Sequence, residues 1–310
     1  MIYTTLTGRC GNQLFLYAFS RALQEHYNEK MVFCDATIKK LGEKDPSFKV
    51  DLELFNVKPY ELLHDNVDTI KQYGSFSQRI ISKCFALTCR LPYRNRDDYY
   101  KRQLRWQPLL NRYGIYHLLH GYIPVAYSKQ KNKFIVGTYE DKRWFSRIES
   151  AIRDELKPKT VNTKNSKLLD IIKQKESVCV SIRRGDFLSP EHRDFRAICD
   201  EKYFRTAISR MLLYFPNAVF VFFSDEIDWV KENYDFGVES YYEDGTNNVA
   251  DKLYLMSSCK HFILSNSTFS WWAQYLSDNK SKVVISPDHW FNMEGYIHPL
   301  IDDDWILIEC

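Results

Sequence analysis

The chain has 310 residues, 45% hydrophobic and 27% charged, the balance of a globular protein with a sizeable core rather than of a disordered or fibrous one. Its net charge of +3 is too small to predict a nucleic-acid partner, and no apolar run approaches the roughly 18 residues of a membrane span. Eight cysteines without a C-x-x-C pair, mostly among apolar neighbours, predict reduced core thiols in a cytoplasmic protein.

Ile2-Tyr3-Thr4-Thr5-Leu6 alternates as a strand and lacks the basic and apolar regions of a secretion signal. Gly8-Arg9-Cys10-Gly11-Asn12 breaks that pattern, and Gln13–Tyr27 takes helical spacing. Leu14, Ala18 and Ala22 form one row of this helix and Phe15, Phe19 and Leu23 the next. Met31–Cys34 predicts the following strand. From about 40 to 150 the pattern weakens, with helix-like pieces interrupted by Pro92, Pro108 and Pro124. Residues 71–147 hold 16 Lys/Arg against 4 Asp/Glu, together with 15 aromatic residues. The Lys/Asn/Ser-rich stretch Lys157–Lys167 reads as a linker, which divides the chain into domains at 1–160 and 161–310. Beyond it, short apolar runs at Ser177–Ile182, Ala218–Phe223, His261–Leu264 and Lys282–Ile285 alternate with helical patterns such as Tyr203–Tyr214 and Val249–Cys259. That alternation predicts right-handed crossovers and a parallel sheet.

Ligands of an open parallel sheet bind beyond the carboxyl ends of its strands. The first C-terminal strand runs into Arg183-Arg184-Gly185-Asp186 and the second into Ser224-Asp225. The third runs into Ser265-Asn266-Ser267-Thr268-Phe269-Ser270 and a helix, and the fourth into Ser286-Pro287-Asp288-His289. A guanidinium pair, a carboxylate and a hydroxyl-rich helix start together suit an anionic, nucleotide-like ligand. Arginine offers a planar fork to phosphate oxygens, the helix start offers N–H groups, and Asp225 could accept two N–H bonds from a guanine edge. Taken singly, each feature is better explained by surface ion pairing or helix capping; their coincidence at successive strand ends favours a phosphate site instead. Neither G-x-G-x-x-G nor G-x-x-x-x-G-K-[ST] occurs.

These segments, with Gly8-Arg9-Cys10-Gly11-Asn12-Gln13-Leu14-Phe15 and Ser265-Asn266-Ser267-Thr268-Phe269-Ser270-Trp271-Trp272, resemble the motif set of bacterial α-1,2-fucosyltransferases of glycosyltransferase family 11, from residue 8 to about 295. The Arg-Arg-Gly-Asp element is shared with α-1,6- and protein O-fucosyltransferases. The resemblance implies an α/β, GT-B-like fold of two Rossmann-like domains facing across a cleft, the N-terminal one on the acceptor side. It implies GDP-fucose as donor, a terminal galactose accepting at O2, inversion, and neither metal nor cofactor. It assigns donor binding to Gly11, Asn12, Ser181, Arg183, Arg184, Ser224, Asp225, Asn266, Ser267, Thr268, Phe269 and Ser270. The sequence departs from the family at Ser181, where its motif usually has His, and at Glu140, where it often has Gln.

Without a metal, the departing GDP needs Arg183 and the helix start at Ser267–Ser270 to neutralise its charge. Arg184 is assigned a structural or acceptor-side role, pairing with Asp186. Asn12 is read both as a helix cap and as a donor contact. Asp186 and Glu191 follow the arginines and are the candidate bases for the acceptor hydroxyl. Two other readings stand beside this one: a metal-dependent sugar transferase using Asp225-Glu226-Ile227-Asp228, and a non-enzymatic carbohydrate-binding protein whose aromatic residues stack on sugars. The basic, aromatic stretch 71–147 has two readings, peripheral contact with the inner face of a membrane and a solvated basic face with its aromatic residues in the core. Family members that build surface polysaccharides on lipid diphosphates give that contact a lipid-linked acceptor.

Overall fold

Two parallel sheets divide the chain into unit 1, Met1–Leu156, and unit 2, Lys157–Cys310. This computed structural model describes residues 1–64, 68–188, 199–293 and 298–310.

Unit 1 carries β1 (Ile2–Thr5), α1 (Cys10–Tyr27), β2 (Met31–Cys34), α2 (Ala36–Gly42), β3 (Tyr60–Leu63), α3 (Thr69–Tyr73), α4 (Phe76–Cys89), α5 (Arg96–Arg112), β4 (Ile115–Leu118), β5 (Lys133–Gly137) and α6 (Glu149–Glu155). Its five strands run parallel in the order β3-β2-β1-β5-β4. Helix α1 begins three residues earlier than its apolar spacing suggests. Arg9 is its extended N-terminal cap and accepts from the N–H groups of Asn12 and Gln13 at 3.0 and 3.2 Å. Asn12 is therefore inside the first turn and is not the cap. Leu14, Phe15, Ala18, Phe19 and Leu23 are buried, as the two rows predict, while Ala22 is half-buried. Buried Arg21 pairs with Glu155 of α6 at 3.0 Å, and the Tyr17 hydroxyl donates to the same carboxylate at 2.5 Å.

Pro108 does not interrupt its segment, contrary to expectation; it lies inside α5. A proline there removes one helix hydrogen bond and costs about 3 kcal/mol, but the two turns just before it fasten α5 to β4 and the residue that follows β4. Gln107 Nε2 donates to His117 O at 2.5 Å, and Leu119 N donates to Gln103 Oε1 at 3.1 Å.

Unit 2 carries α7 (Ser166–Gln174), β6 (Ser177–Ile182), α8 (Glu201–Tyr214), β7 (Val219–Ser224), α9 (Ile227–Asn233), β8 (Ser240–Tyr242), α10 (Val249–Ser258), β9 (His261–Ile263), α11 (Thr268–Leu276), β10 (Val284–Pro287) and β11 (Ile306–Ile308). All six strands are parallel, in the order β8-β7-β6-β9-β10-β11. Counted from the first strand of the unit this is 3-2-1-4-5-6, the doubly wound Rossmann order. Strands β6 and β7 are buried along their whole length. Two successive parallel α/β units are the pair from which a GT-B fold is built. Residues 157–167 are not a free linker: Asn162 N donates to Asp251 Oδ1 at 3.1 Å, within unit 2.

Among the described residues no helix is long and apolar enough to cross a membrane. All eight cysteines are free thiols; five are buried, Cys89 and Cys310 are half-buried, and Cys84 is exposed, against the expectation of core positions.

Candidate active site

The order of the unit 2 sheet reverses between β6 and β9, so a ligand crevice belongs at the carboxyl ends of those two strands. Ser181, near the end of β6, is buried, and its hydroxyl lies 2.6 Å from that of Ser270 in the first turn of α11. Ser265 Oγ stands 3.4 Å from the same Ser270 hydroxyl. Ser181 thus ties the two strand ends together.

Arg183 and Arg184 leave the sheet immediately after β6. Arg183 Nη1 is 3.0 Å from Asp225 Oδ2, just past the end of β7, and both side chains are about a fifth exposed, 23% and 22%. Asp225 Oδ1 accepts from the backbone N–H of Arg184 at 3.1 Å. The Arg184 side chain turns the other way. Its Nε donates to Glu226 Oε2 at 3.0 Å, and its guanidinium lies 3.1 Å from the centre of the Trp229 ring. Glu226 is thus a partner of Arg184 that the sequence did not suggest; the side chain of Asp186, which it did suggest, lies outside the described residues. Gly185 is needed for close approach: a Cβ built on it would stand 2.4 Å from Asp225 Oδ2.

The hydroxyl-rich loop divides between inside and outside. Ser265, Asn266 and Ser270 are buried, whereas Ser267, Thr268 and Phe269 are half-buried. Asn266 Nδ2 donates to Trp290 O at 2.9 Å, and Asn266 Oδ1 accepts from Cys199 Sγ at 4.0 Å, contacts that hold the loop in shape. Ser267 occupies the cap position of α11 in extended conformation, yet its side chain makes no capping hydrogen bond. Simple helix capping therefore does not account for this serine.

A buried ion pair lies behind the β7 turn. Glu243, fully buried just after β8, is 3.1 Å from Lys252 Nζ of α10 and accepts from Asn247 Nδ2 at 2.7 Å. Lys252 Nζ also donates to Ser224 O at 3.2 Å, and Ser224 Oγ accepts from Glu226 N at 3.0 Å. Sequence reading missed this brace because neither Glu243 nor Lys252 belongs to a motif; it missed the role of Gly185 although the residue stood in plain view.

The remaining candidates are placed as follows. In unit 1, Gly11 is buried and Asn12 Nδ2 donates to Glu140 Oε1 at 3.3 Å, beyond the ends of β1 and β5. Gly8 has φ +70°, and a Cβ there would stand 2.8 Å from that of Asn12, so only glycine fits. Glu191 lies outside the described residues. Asp186 belongs to a 3-10 turn, Gly185–Leu188, and its side chain is likewise outside the description. The acidic run of the metal reading does not gather into one site: Asp225 pairs with Arg183, Glu226 with Arg184 and Asp228 with Lys231.

Residues 117–307 match the family model described as glycosyl transferase family 11. The chain is 32% identical over 164 residues to an alpha-1,2-colitosyltransferase of Escherichia coli, an alignment covering 51% of this chain and 56% of that protein. It is 26% identical over 321 residues to the O-antigen biosynthesis glycosyltransferase WbnK of Escherichia coli, covering 98% of this chain and 99% of that one. The fucosyltransferase NodZ from Bradyrhizobium aligns with a TM-score of 0.48 at 12% identity, over 89% of this chain and 92% of NodZ.

Proposed function

This chain belongs to glycosyl transferase family 11, and we propose that it transfers L-fucose from GDP-β-L-fucose to the 2-hydroxyl of a terminal galactose on a glycan acceptor, with inversion. The observation that carries the reading is the Arg183 fork, held by Asp225 at the reversal point of a doubly wound sheet, beside a serine-rich helix start. In the proposed reaction the acceptor oxygen attacks C1 of fucose while the C1–O bond to the diphosphate breaks, and GDP leaves with the bonding pair. Arg183 and the N–H groups at the start of α11 stabilise the charge that develops on it. Asp186 or Glu191 takes the acceptor proton. Asp225 orients Arg183 and, through its remaining lone pairs, accepts from the guanine edge. Arg184 shapes the site from its berth between Glu226 and Trp229. Asn266 and Ser181 hold the loop that presents Ser267, Thr268 and Phe269 to the donor.

No metal is invoked, because Asp225, Glu226 and Asp228 are each already engaged by a cation. Full activity in EDTA is the expected result. The carbohydrate-binding reading accounts for neither the arginine pair nor the uncapped serine. A surface-polysaccharide acceptor is supported by the O-antigen role in the name of one relative. The name of the other supports colitose as a second donor sugar with the same alpha-1,2 linkage. A donor panel of GDP-fucose, GDP-colitose and UDP-galactose, with galactose-terminated acceptors and NMR of the product linkage, tests the proposal. Product linked elsewhere than O2, or transfer only from UDP-galactose, would overturn it.

A further inference from the structure

Helix α4 has two apolar faces, and only one of them is used by the core. Ile81, Phe85 and Cys89 pack inward, against a cluster that includes Ile70, Leu110, Ile115 and Phe134. On the outer side, Phe76, Ile80, Cys84, Leu87 and, just past the helix, Leu91 follow one another at intervals of four, four, three and four residues. That spacing puts them on one stripe. The stripe is exposed: Phe76 79%, Leu87 60% and Leu91 55%. Each of the exposed basic residues Arg79, Lys83 and Arg90 directly precedes a stripe residue, so a basic row runs alongside it.

The helix is held rigidly in this presentation. Ser75 and Gln78 form a capping box at its start, and Gln78 Nε2 donates to Tyr113 O and Asn132 O at 2.7 and 2.8 Å. At its end, Arg102 donates to the carbonyls of Thr88, Leu91 and Pro92. The aromatic residues that the sequence offered for a membrane face are mostly elsewhere: Tyr116 is buried and Trp106 packs on the core, whereas Tyr93 is exposed. Arg102 is a staple and not a surface charge.

We propose that the outer face of α4 docks on an anionic lipid bilayer, with the apolar stripe at the boundary of headgroups and acyl chains and the basic row against the lipid phosphates. Charge selects this occupant. Apart from Arg102, residues 76–112 hold eight Lys/Arg against two Asp/Glu, which complements an anionic leaflet. A second copy of the chain, meeting this face about a two-fold axis, would oppose one basic row to another. The helix is 14 residues long, about 21 Å at 1.5 Å per residue, so it lies in the interface plane without crossing it.

The test is sedimentation of the full chain with phosphatidylcholine vesicles and with vesicles containing phosphatidylglycerol, at low and high salt. The expected result is salt-sensitive binding to the anionic vesicles only. Arg79→Glu, Lys83→Glu and Arg90→Glu together should lower partitioning on the order of a hundredfold, and Ile80→Asp with Leu87→Asp should lower it at least tenfold. All five positions are exposed, and circular dichroism verifies that the variants fold. Equal weak binding to both vesicle types, or losses below tenfold in both variants, would overturn the proposal. So would a dimer in analytical ultracentrifugation that the Ile80→Asp, Leu87→Asp variant abolishes, because the face would then belong to a second copy.

Discussion

Asp225 grips the arginine pair twice, taking Arg183 Nη1 at 3.0 Å on one carboxylate oxygen and the backbone N–H of Arg184 at 3.1 Å on the other. A single residue past the end of β7 thereby sets the direction of a guanidinium that leaves from the end of β6. The neighbouring Arg184 has almost the same sequence context but an opposite fate, since Glu226 and Trp229 occupy its side chain.

From this geometry, Arg183→Ala should lower turnover about 10²- to 10³-fold, as removal of a preorganised charge donor does. Arg183→Lys should restore little, because an ammonium cannot offer the planar fork. Retention of more than roughly a tenth of wild-type turnover by the alanine variant, a barrier change under about 1.4 kcal/mol, would refute the role. Asp225→Ala should weaken GDP binding and erode its preference over UDP in calorimetry. An unchanged preference would confine Asp225 to orienting Arg183.

Gly185→Ala is a finer probe of the same contact. The added Cβ would stand 2.4 Å from Asp225 Oδ2, the mobile end of a side chain, so relief comes from swinging that carboxylate away. Stability should change by about 1 kcal/mol or less, while GDP affinity should fall at least tenfold on the order of one broken charge-assisted contact. Equal GDP affinity in variant and wild type would show that the Arg183–Asp225 alignment does not matter to the donor.

The strands that frame this site were readable because β6, β7, β9 and β10 are short apolar runs buried on both faces, each ending in a polar break. Edge strands β8 and β11 escaped notice: each has three residues, none fully buried, so neither produces a run. Unit 1 hid more. In α4 the core face and the exposed stripe merge into a helix with no clear polar side, and in α5 a proline that ordinarily ends a helix is outweighed by glutamine contacts to β4. The motifs told which residues converge on the β6–β9 reversal but not how they divide the work. The pairing of Arg184 with Glu226 depends on a turn that spacing alone does not describe.

Unit 1 also predicts a pH dependence. The buried Asp51 carboxyl is pushed up to about 6 by its removal from water, and its Oδ1 has no hydrogen-bond partner among the described residues. Between about pH 4 and pH 6 the folded chain then holds a proton that the unfolded chain has released. Its contribution to stability is present at the acid end of that window and is lost as pH rises through about 6. A shift of two units corresponds to about 3 kcal/mol at most. Asp51→Asn should accordingly raise the unfolding free energy at pH 7 by about 1–3 kcal/mol and by much less at pH 4.5. Urea unfolding at the two pH values measures this, and an asparagine variant no more stable at pH 7 than wild type would contradict the assignment.

The pair behind the β7 turn should reveal itself through non-additivity. Lys252→Met leaves Glu243 buried without its cation, and losing one partner of a buried ion pair costs about 3–5 kcal/mol. Glu243→Gln strands the lysine in a less closed place, since Lys252 keeps 18% of its side chain exposed while Glu243 has none, and should cost less. With both substitutions no charge is stranded, so the double variant should be more stable than Lys252→Met alone, with a coupling well above the roughly 0.5 kcal/mol scatter of independent sites. Stability and donor binding should nevertheless separate. The double variant still lacks the Lys252 hydrogen bond to Ser224 O, which steadies the turn carrying Asp225, so its GDP affinity should stay below wild type after its stability has recovered. Thermal unfolding and GDP calorimetry on the four proteins of the cycle measure both quantities. Additive stabilities would argue against the ion pair, whereas full recovery of GDP affinity in the double variant would show that the brace serves stability alone.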